Sequence, residues 1–374
     1  MLSGHPILQF GTSRFLQAHV DLFVSEGLAA GEALGGITVV QGTDNPTSTQ
    51  RSQALAAGYD VLIRGLEGGQ PVERRKVCRS VREALHARRD WAVLRERVRG
   101  PVRVIVSNTG DSGWLPAPGD HAGLLAQEAD APASFPARLL VLLHGRWQAG
   151  PTAELTVLPC ELVSRNGDRL RELVVSLARE WRCPPDFVEW LQAHVVWGNS
   201  LVDRIVSEAL EPAGAVAEPY ALWAVESQPR LQLPCRHPAI VLTDDLAHYE
   251  RLKLFLLNLG HTLLAEWWQR QGLHGDMTVL QAMRFAPLRE PLEMAWQKEV
   301  LPVFDAQGQG DEARTYLAGL RERLLNPFLV HRLADIAQNH AQKKQRRLQP
   351  VVNLAGQLTP GLHQPLLQAA LATS

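Results

Sequence analysis

The chain is poor in cysteine and spreads what it has. Cys78, Cys160, Cys183 and Cys235 are the only four among 374 residues, and none forms a C-x-x-C pair. A disulfide framework and a structural zinc site are thereby excluded as the means of stabilising the fold. Net charge is missing as well: 38 basic against 39 acidic residues leave −1, so no global field favours a polyanion such as nucleic acid. Any charged ligand must be captured locally. Long apolar runs are absent too, and the opening MLSGHPILQF lacks a basic region ahead of an extended hydrophobic segment. These absences predict a cytoplasmic protein with neither membrane nor nucleic acid as partner, and they leave its oligomeric state open.

What is present is the composition of an ordinary folded protein. Hydrophobic residues make up 45% and charged ones 21%, which at this length suits two domains with substantial cores. Ile7-Leu8-Gln9-Phe10 is followed by Gly11-Thr12-Ser13-Arg14, by helical periodicity from Phe15 to about Gly27, and by a second apolar run from Ile37 to Val40. Strand, tight turn, helix and strand in that order predict a βαβ unit. Tyr59–Arg64 and Val72–Val77, joined by the turn-rich Gly65–Gly69, predict a hairpin. Val102–Val106 predicts a buried strand ending in Ser107-Asn108-Thr109-Gly110, where a cofactor beyond the carboxyl end of an α/β sheet could reach it. From about residue 161 the pattern turns mainly helical, with Leu170–Ala178 the clearest amphipathic stretch, and after about residue 240 nearly everything reads as helix. Pro46, Pro185 and the stretch from Gln228 to Pro238 are expected in loops.

Three groups of residues could carry chemistry. A dinucleotide fingerprint uses glycines to turn tightly and to let the backbone approach a pyrophosphate. Here only Gly11 of the G-x-G-x-x-G pattern stands, with Ser13 in the second glycine's place and Phe15 beyond it; a ligand-free turn fits as well. The acidic residue expected after the second strand is ambiguous, Asp44 being the candidate, so NAD and NADP are not separated. The second group is Lys253, Asn258 and His261. At about 100° per residue, His261 falls near 80° and Asn258 near 140° from Lys253, so all three can face one site. Leu252, Phe255, Leu256 and Leu257 would desolvate the ammonium and lower its pKa, as proton exchange with an alcohol near neutral pH requires. Asn258 could donate to the alkoxide-like oxygen of a hydride transfer. An amphipathic helix with a solvated lysine, a capping asparagine and a core histidine is the plainer alternative. Zinc is not expected, because the interval between His248 and His261 matches no usual ligand spacing. The third group lies in Pro159–Gly167 and Asn199–Val206, where Asn166-Gly167 reads locally as a turn and Asp203-Arg204 as a structural ion pair.

These segments resemble the polyol-specific long-chain dehydrogenases, the mannitol dehydrogenase family, and within it the tagaturonate reductase or altronate oxidoreductase branch. FGTSRFLQAHVD, YDVLIRGLEG, VIVSNTGDSG, LPCELVSRNGDRLRELV, NSLVDRIV, KLFLLNLGHT and RERLLNPFLVHRLADIAQN occur in the family's order across nearly the whole chain. The resemblance implies an α/β fold class: a Rossmann-type dinucleotide-binding domain over residues 1–240 and a mostly α-helical catalytic domain over 241–374, with the active site between them and no metal. It implies NAD or NADP as cofactor, NAD favoured, and hydride transfer between the nicotinamide and a secondary alcohol or ketone of a sugar acid. Carried over by position, Lys253 is the general acid/base, Asn166 and Asn258 hold the reacting oxygen, and His261 orients substrate and lysine. Gly11, Ser13 and Phe15 line the pyrophosphate turn, with Asp44, Ser107 and Asn108 also at the cofactor. Asn199, Asp203, Lys343 and Arg347 fall at the substrate, the last two matching basic positions that would pair with a carboxylate. A neutral polyol and a non-catalytic nucleotide-binding homologue are the alternatives. The family's turn is richer in glycine, often has asparagine where Arg14 stands, and its tagaturonate reductases are longer.

Overall fold

Short apolar runs without polar alternation suit strands covered on both faces, and the first half of the molecule is built on them. The structure, a computed structural model, describes residues 5–43, 45–110, 113–128, 130–150 and 153–372. Its strands are β1 (Ile7–Phe10), β2 (Ile37–Gln41), β3 (Tyr59–Glu67), β4 (Gln70–Cys78), β5 (Val81–His86), β6 (Val104–Ser107), β7 (Leu155–Pro159), β8 (Val195–Trp197), β9 (Ser200–Asp203), β10 (Val206–Ala209), β11 (Gly214–Ala217), β12 (Leu222–Glu226) and β13 (Ile240–Thr243). Six form one sheet in the order β5-β2-β1-β6-β7-β8, every neighbouring pair parallel. β1, β2, β6 and β7 are buried along their whole length. The order reverses direction at β1 and β6, the switch point at which open α/β sheets bind ligands. Two smaller sheets follow, β10-β11-β3-β4 and β13-β12-β9.

Parallel strands need crossovers, and helices α1 (Arg14–Gln17), α2 (Val20–Ala30), α3 (Pro46–Ala57), α4 (Trp91–Arg99), α5 (Phe135–Ala149), α6 (Asn166–Glu180) and α7 (Pro185–Ala193) supply them. The expected helix from Phe15 to Gly27 is broken at Ala18-His19. Carbonyls released there find other donors: Gln17 O accepts from Tyr59 Oη at 3.4 Å and Ala18 O from an Arg204 terminal nitrogen at 2.6 Å. Pro46 and Pro185, expected in loops, instead open α3 and α7, the position where a missing N–H costs nothing. The mainly helical pattern expected from residue 161 is also corrected, since β8 to β13 occupy much of 195–243. None is longer than five residues, too short for a period of two to register.

The chain divides into two units: Met1–Leu62, Arg74–Ala217 and Ala221–Leu246 in the first, Ile63–Glu73, Glu218–Tyr220 and Ala247–Ser374 in the second. The β3–β4 hairpin tip and Glu218–Tyr220 group with the second unit although they precede it in sequence. Beyond α8 (Leu246–Leu252), the second unit is helical: a π-helical turn over Lys253–Asn258, α9 (Leu259–Arg270), α10 (Val279–Arg284), α11 (Ala286–Met294), a second π turn over Ala295–Val300, α12 (Leu301–Ala306), α13 (Gly310–Leu324), α14 (Leu333–Ile336), α15 (His340–Arg347), α16 (Gln349–Leu358) and α17 (Pro365–Ala372). Leu256, Leu259, Leu263, Trp296, Leu333 and Leu348 are among the core residues buried there, each worth about 1.5–3 kcal/mol of burial. Among the described residues no helix is long and apolar enough to cross a membrane.

Candidate active site

In the first unit, the turn after β1 requires glycine twice over. Gly11 has φ +113°, and a Cβ on it would stand 2.5 Å from Asn108 O, so neither the conformation nor the space admits a side chain. Gly11 N–H donates to Val40 O at 3.1 Å and Asn108 N–H to Phe10 O at 3.0 Å, which ties the carboxyl ends of β1, β2 and β6 together. Ser13 Oγ caps α1 by accepting from Leu16 N–H at 3.3 Å and donates to Asn108 Oδ1 at 3.2 Å. Gly11, Ser13, Thr43, Arg51, Asn108 and Arg138 belong to the lining of a cleft of about 410 Å³ at this edge. A backbone held this close, with two guanidinium groups beside it, fits a dinucleotide phosphate.

The other cofactor candidates fare differently. Ser107 is buried and donates to Glu161 Oε2 at 2.9 Å; Thr109 N–H donates to Glu161 Oε1 at 2.9 Å. Ser107 and Glu161 thus pin the loop that forms the cleft's wall. Phe15, expected at the pyrophosphate turn, stacks instead on His19 with ring centroids 4.7 Å apart. Asp44 lies outside the described residues. Arg51, Arg138 and Glu161 were not legible as site residues, because helix and strand spacing says nothing about which distant elements share a cleft.

Asn166 and Asn199 turn out to be joints. The Asn166 amide nitrogen donates to Pro159 O, Glu161 O and Ser200 O at 2.9, 3.1 and 2.9 Å, while its oxygen accepts from Gly167 and Ser200 N–H at 3.0 and 2.8 Å. With every donor engaged and 1% exposure, it has nothing left for a reacting oxygen, which corrects that expectation. Asn166-Gly167 is likewise no turn: it opens α6, and a Cβ on Gly167 would meet Gly198 O at 2.5 Å. Asn199 donates to Asp168 Oδ2 at 3.1 Å and Glu226 Oε2 at 2.6 Å and accepts from Asp168 N–H at 3.0 Å, so it is committed to this joint rather than to a substrate. Asp203 is buried at the end of β9.

In the second unit the Asn258 amide and His261 Nε2 bond no described residue. Lys253 and Asn258 begin and end the π turn, whose i→i+5 bonding sets residues five apart one above the other. The uniform 100° rotation expected from spacing does not hold here. Trp296 wedges against this helix: its Nε1–H donates to Leu256 O at 3.1 Å, and a Cβ on Gly260 would lie 2.6 Å from its ring. The Asn258 amide has no hydrogen bond to a described residue, although Asn258 O accepts from Thr262 Oγ1 at 2.9 Å. His261 is 6% exposed and its buried Nε2 has no partner among the described residues. Burial first, then the charges of His331, Arg347, Arg323 and Lys343, hold its pKa well below the usual histidine value. The ring of His331 meets His261 edge-on at 4.8 Å.

α15 faces α9 through a polar ladder. An Arg347 terminal nitrogen donates to Thr262 Oγ1 at 3.1 Å, and Lys343 Nζ donates to Ile336 O at 2.7 Å. Further along, Glu266 receives Lys344 Nζ at 3.1 Å and His340 Nε2 at 2.7 Å. Burial lowers the pKa of Arg347, and burial with the neighbouring Arg347 charge lowers that of Lys343. Two cations thus stand near a neutral His261 whose Nε2 bonds no described residue, a setting that favours an anion. Among the described residues no group of three His, Cys, Asp or Glu is placed to hold a metal ion.

Comparison with known proteins divides the chain once, between residues 234 and 245. A mannitol dehydrogenase Rossmann domain model matches residues 5–234, and a mannitol dehydrogenase C-terminal domain model matches residues 245–374. An altronate oxidoreductase of Halalkalibacterium halodurans is 30% identical over 368 residues, covering 93% of this chain and 70% of that protein. One of Klebsiella pneumoniae is 33% identical over 391 residues, covering 98% and 78%. Among solved structures, Pseudomonas fluorescens mannitol 2-dehydrogenase, in a ternary complex with NAD and D-mannitol, superposes with TM-score 0.76 at 19% identity, covering 99% of this chain and 79% of that one. A substrate-free D-sorbitol dehydrogenase gives 0.78 at 20% identity, covering 95% and 76%.

Proposed function

This chain belongs to the mannitol dehydrogenase family and is a nicotinamide-dependent dehydrogenase of CH–OH groups, and on that premise we propose that its substrate is a sugar acid of the tagaturonate or altronate kind. The observation that carries this reading is a polar set in the second unit: the buried His261 Nε2 and the half-buried Asn258 amide, neither bonded to a described residue, beside Arg347 and Lys343. A neutral polyol offers nothing that two half-buried cations require; a carboxylate does.

The dinucleotide, when bound in the cleft of the first unit, supplies or accepts the hydride, NAD being the favoured form. Lys253 takes the hydroxyl proton in oxidation and returns it in reduction, as general acid/base. Asn258 donates to the oxygen while its charge develops. His261 Nε2 bonds a substrate hydroxyl and fixes its orientation, and Arg347 with Lys343 anchors the carboxylate. No metal enters the reaction, so exhaustive chelation leaves turnover unchanged. Four buried, unpaired cysteines fit the reducing cytoplasm that this reading assigns to the protein. Relatives at 30–33% identity are altronate oxidoreductases, which supports the acid over the polyol. The test is a panel of ketouronates, ketoses, aldonates and polyols assayed with both dinucleotides: kcat/KM at least tenfold higher for the acids is expected, and a preference for neutral polyols overturns the assignment.

A further inference from the structure

Arg138 is a buried cation that forms no ion pair among the described residues. It lies in the first turn of α5 with 9% exposure, and only its Nε is engaged, donating to Pro132 O at 2.7 Å. Its terminal nitrogens bond no described residue, and one of them reaches Gly42, 3.5 Å from where a Cβ on that glycine would lie. The carboxylate that acts on it, Asp120, is already committed to Ala133 N–H and to Ser134 N–H and Oγ. Arg88, on the loop after β5, adds repulsion to the desolvation. Arg51 of α3 lines the same cleft, its one ion pair among the described residues being a 4.0 Å contact with Glu211.

A desolvated guanidinium in this state calls for an anion, and its place identifies which. Gly42 follows β2 and Arg51 lies on the helix after it, the part of a Rossmann site that holds the adenosine ribose and where an arginine accommodates a 2′-phosphate. The pyrophosphate turn is on the neighbouring strand, at Gly11. Gln41, which ends β2, is neutral and its amide is held by Ser52 and Thr43 O, while Asp44, three residues on, lies outside the described residues. We propose that Arg138, assisted by Arg51, binds the 2′-phosphate of NADP(H), so that the chain uses NADP(H) as well as NAD(H). This rests on the dinucleotide reading of the cleft given above.

The test is fluorescence titration of the full chain with NADH and NADPH, repeated for Arg138→Gln and Arg51→Gln. Wild type is expected to bind the two within about tenfold of each other. Arg138→Gln should weaken NADPH by about ten- to a hundredfold, the range of a lost charge-assisted contact, and by at least tenfold more than it weakens NADH; Arg51→Gln should give a smaller loss of the same kind. Equal weakening of both dinucleotides overturns the proposal, as does a wild type that binds NADH but not NADPH. Should Arg138→Gln fail to fold, competition on wild type decides: adenosine 2′,5′-bisphosphate must displace NADH better than 5′-AMP does, and the reverse order refutes the assignment. A protein binding neither dinucleotide would instead overturn the dehydrogenase reading.

Discussion

Asn166 and Asn258 carry the same side chain and are treated in opposite ways by their units. In the first unit the amide is spent: five hydrogen bonds to backbone groups knit β7, the start of α6 and β9 together. In the helical unit the amide bonds no described residue, and three positions on His261 keeps a buried nitrogen unpaired. A buried polar group that is fully satisfied builds architecture, whereas His261 Nε2, left open at a cost of about 1–3 kcal/mol, is free for the ligand proposed above. The contrast separates two residues that motif matching alone would place in one role.

Substitutions can break that contrast or sharpen it. Lys253→Ala should have the largest effect, a loss of about 10²–10⁴ in kcat with dinucleotide affinity retained; single-turnover rates at saturating substrate measure it, and near-normal turnover would remove the lysine from the chemistry. Asn166→Ala should act on stability, lowering the free energy of unfolding by about 2–4 kcal/mol because several backbone partners are orphaned together. Urea midpoints test this, and a variant with native stability but a collapsed kcat would return Asn166 to the reacting oxygen. Arg347→Met should raise KM about ten- to a hundredfold for an acidic substrate while sparing a neutral polyol. Equal changes for both would defeat the carboxylate assignment.

The last expected effect is a slope. Asp21, wholly buried in the first unit, accepts from Tyr59 Oη at 2.7 Å, has one oxygen without a partner, and is raised by burial to about 7. Between about pH 4 and 7 the folded chain therefore holds a proton that the unfolded chain has released, so this group's contribution to stability falls as pH rises through that window and is flat above it. Asp21→Asn should remove the fall, read as the difference between wild-type and variant urea midpoints at pH 5 and pH 8; a difference that does not change with pH contradicts it. Here the first unit meets an unsatisfied atom by neutralising the group rather than by offering it to a ligand.

The parts of this molecule that were legible in its sequence are those set by short-range pattern. The βαβ opening, the β3–β4 hairpin and the helical second half follow from apolar runs, glycine joints and periodicity, and Lys253, Asn258 and His261 stand out because apolar neighbours frame them. Pro46 and Pro185 misled because proline breaks a helix everywhere except at its start. The strands of 195–243 escaped because three to five residues carry too little pattern. Arg138 and Arg51 were invisible for another reason: each is one arginine among many until the sheet order brings α5 and α3 to the end of β2.

The π turn over Lys253–Asn258 also makes the helix intolerant of length. A turn with one residue too many relaxes into an ordinary helix if a single residue between Lys253 and Asn258 is deleted, and the backbone would gain regularity in doing so. Lys253 and Asn258 would then stand four residues apart in a helix of ordinary pitch, and the widened turn against which Trp296 is wedged, its Nε1–H on Leu256 O, would close. Substitutions at these positions can be absorbed one side chain at a time, whereas loss of one codon in this stretch removes the widened turn itself and leaves a better-formed helix without it.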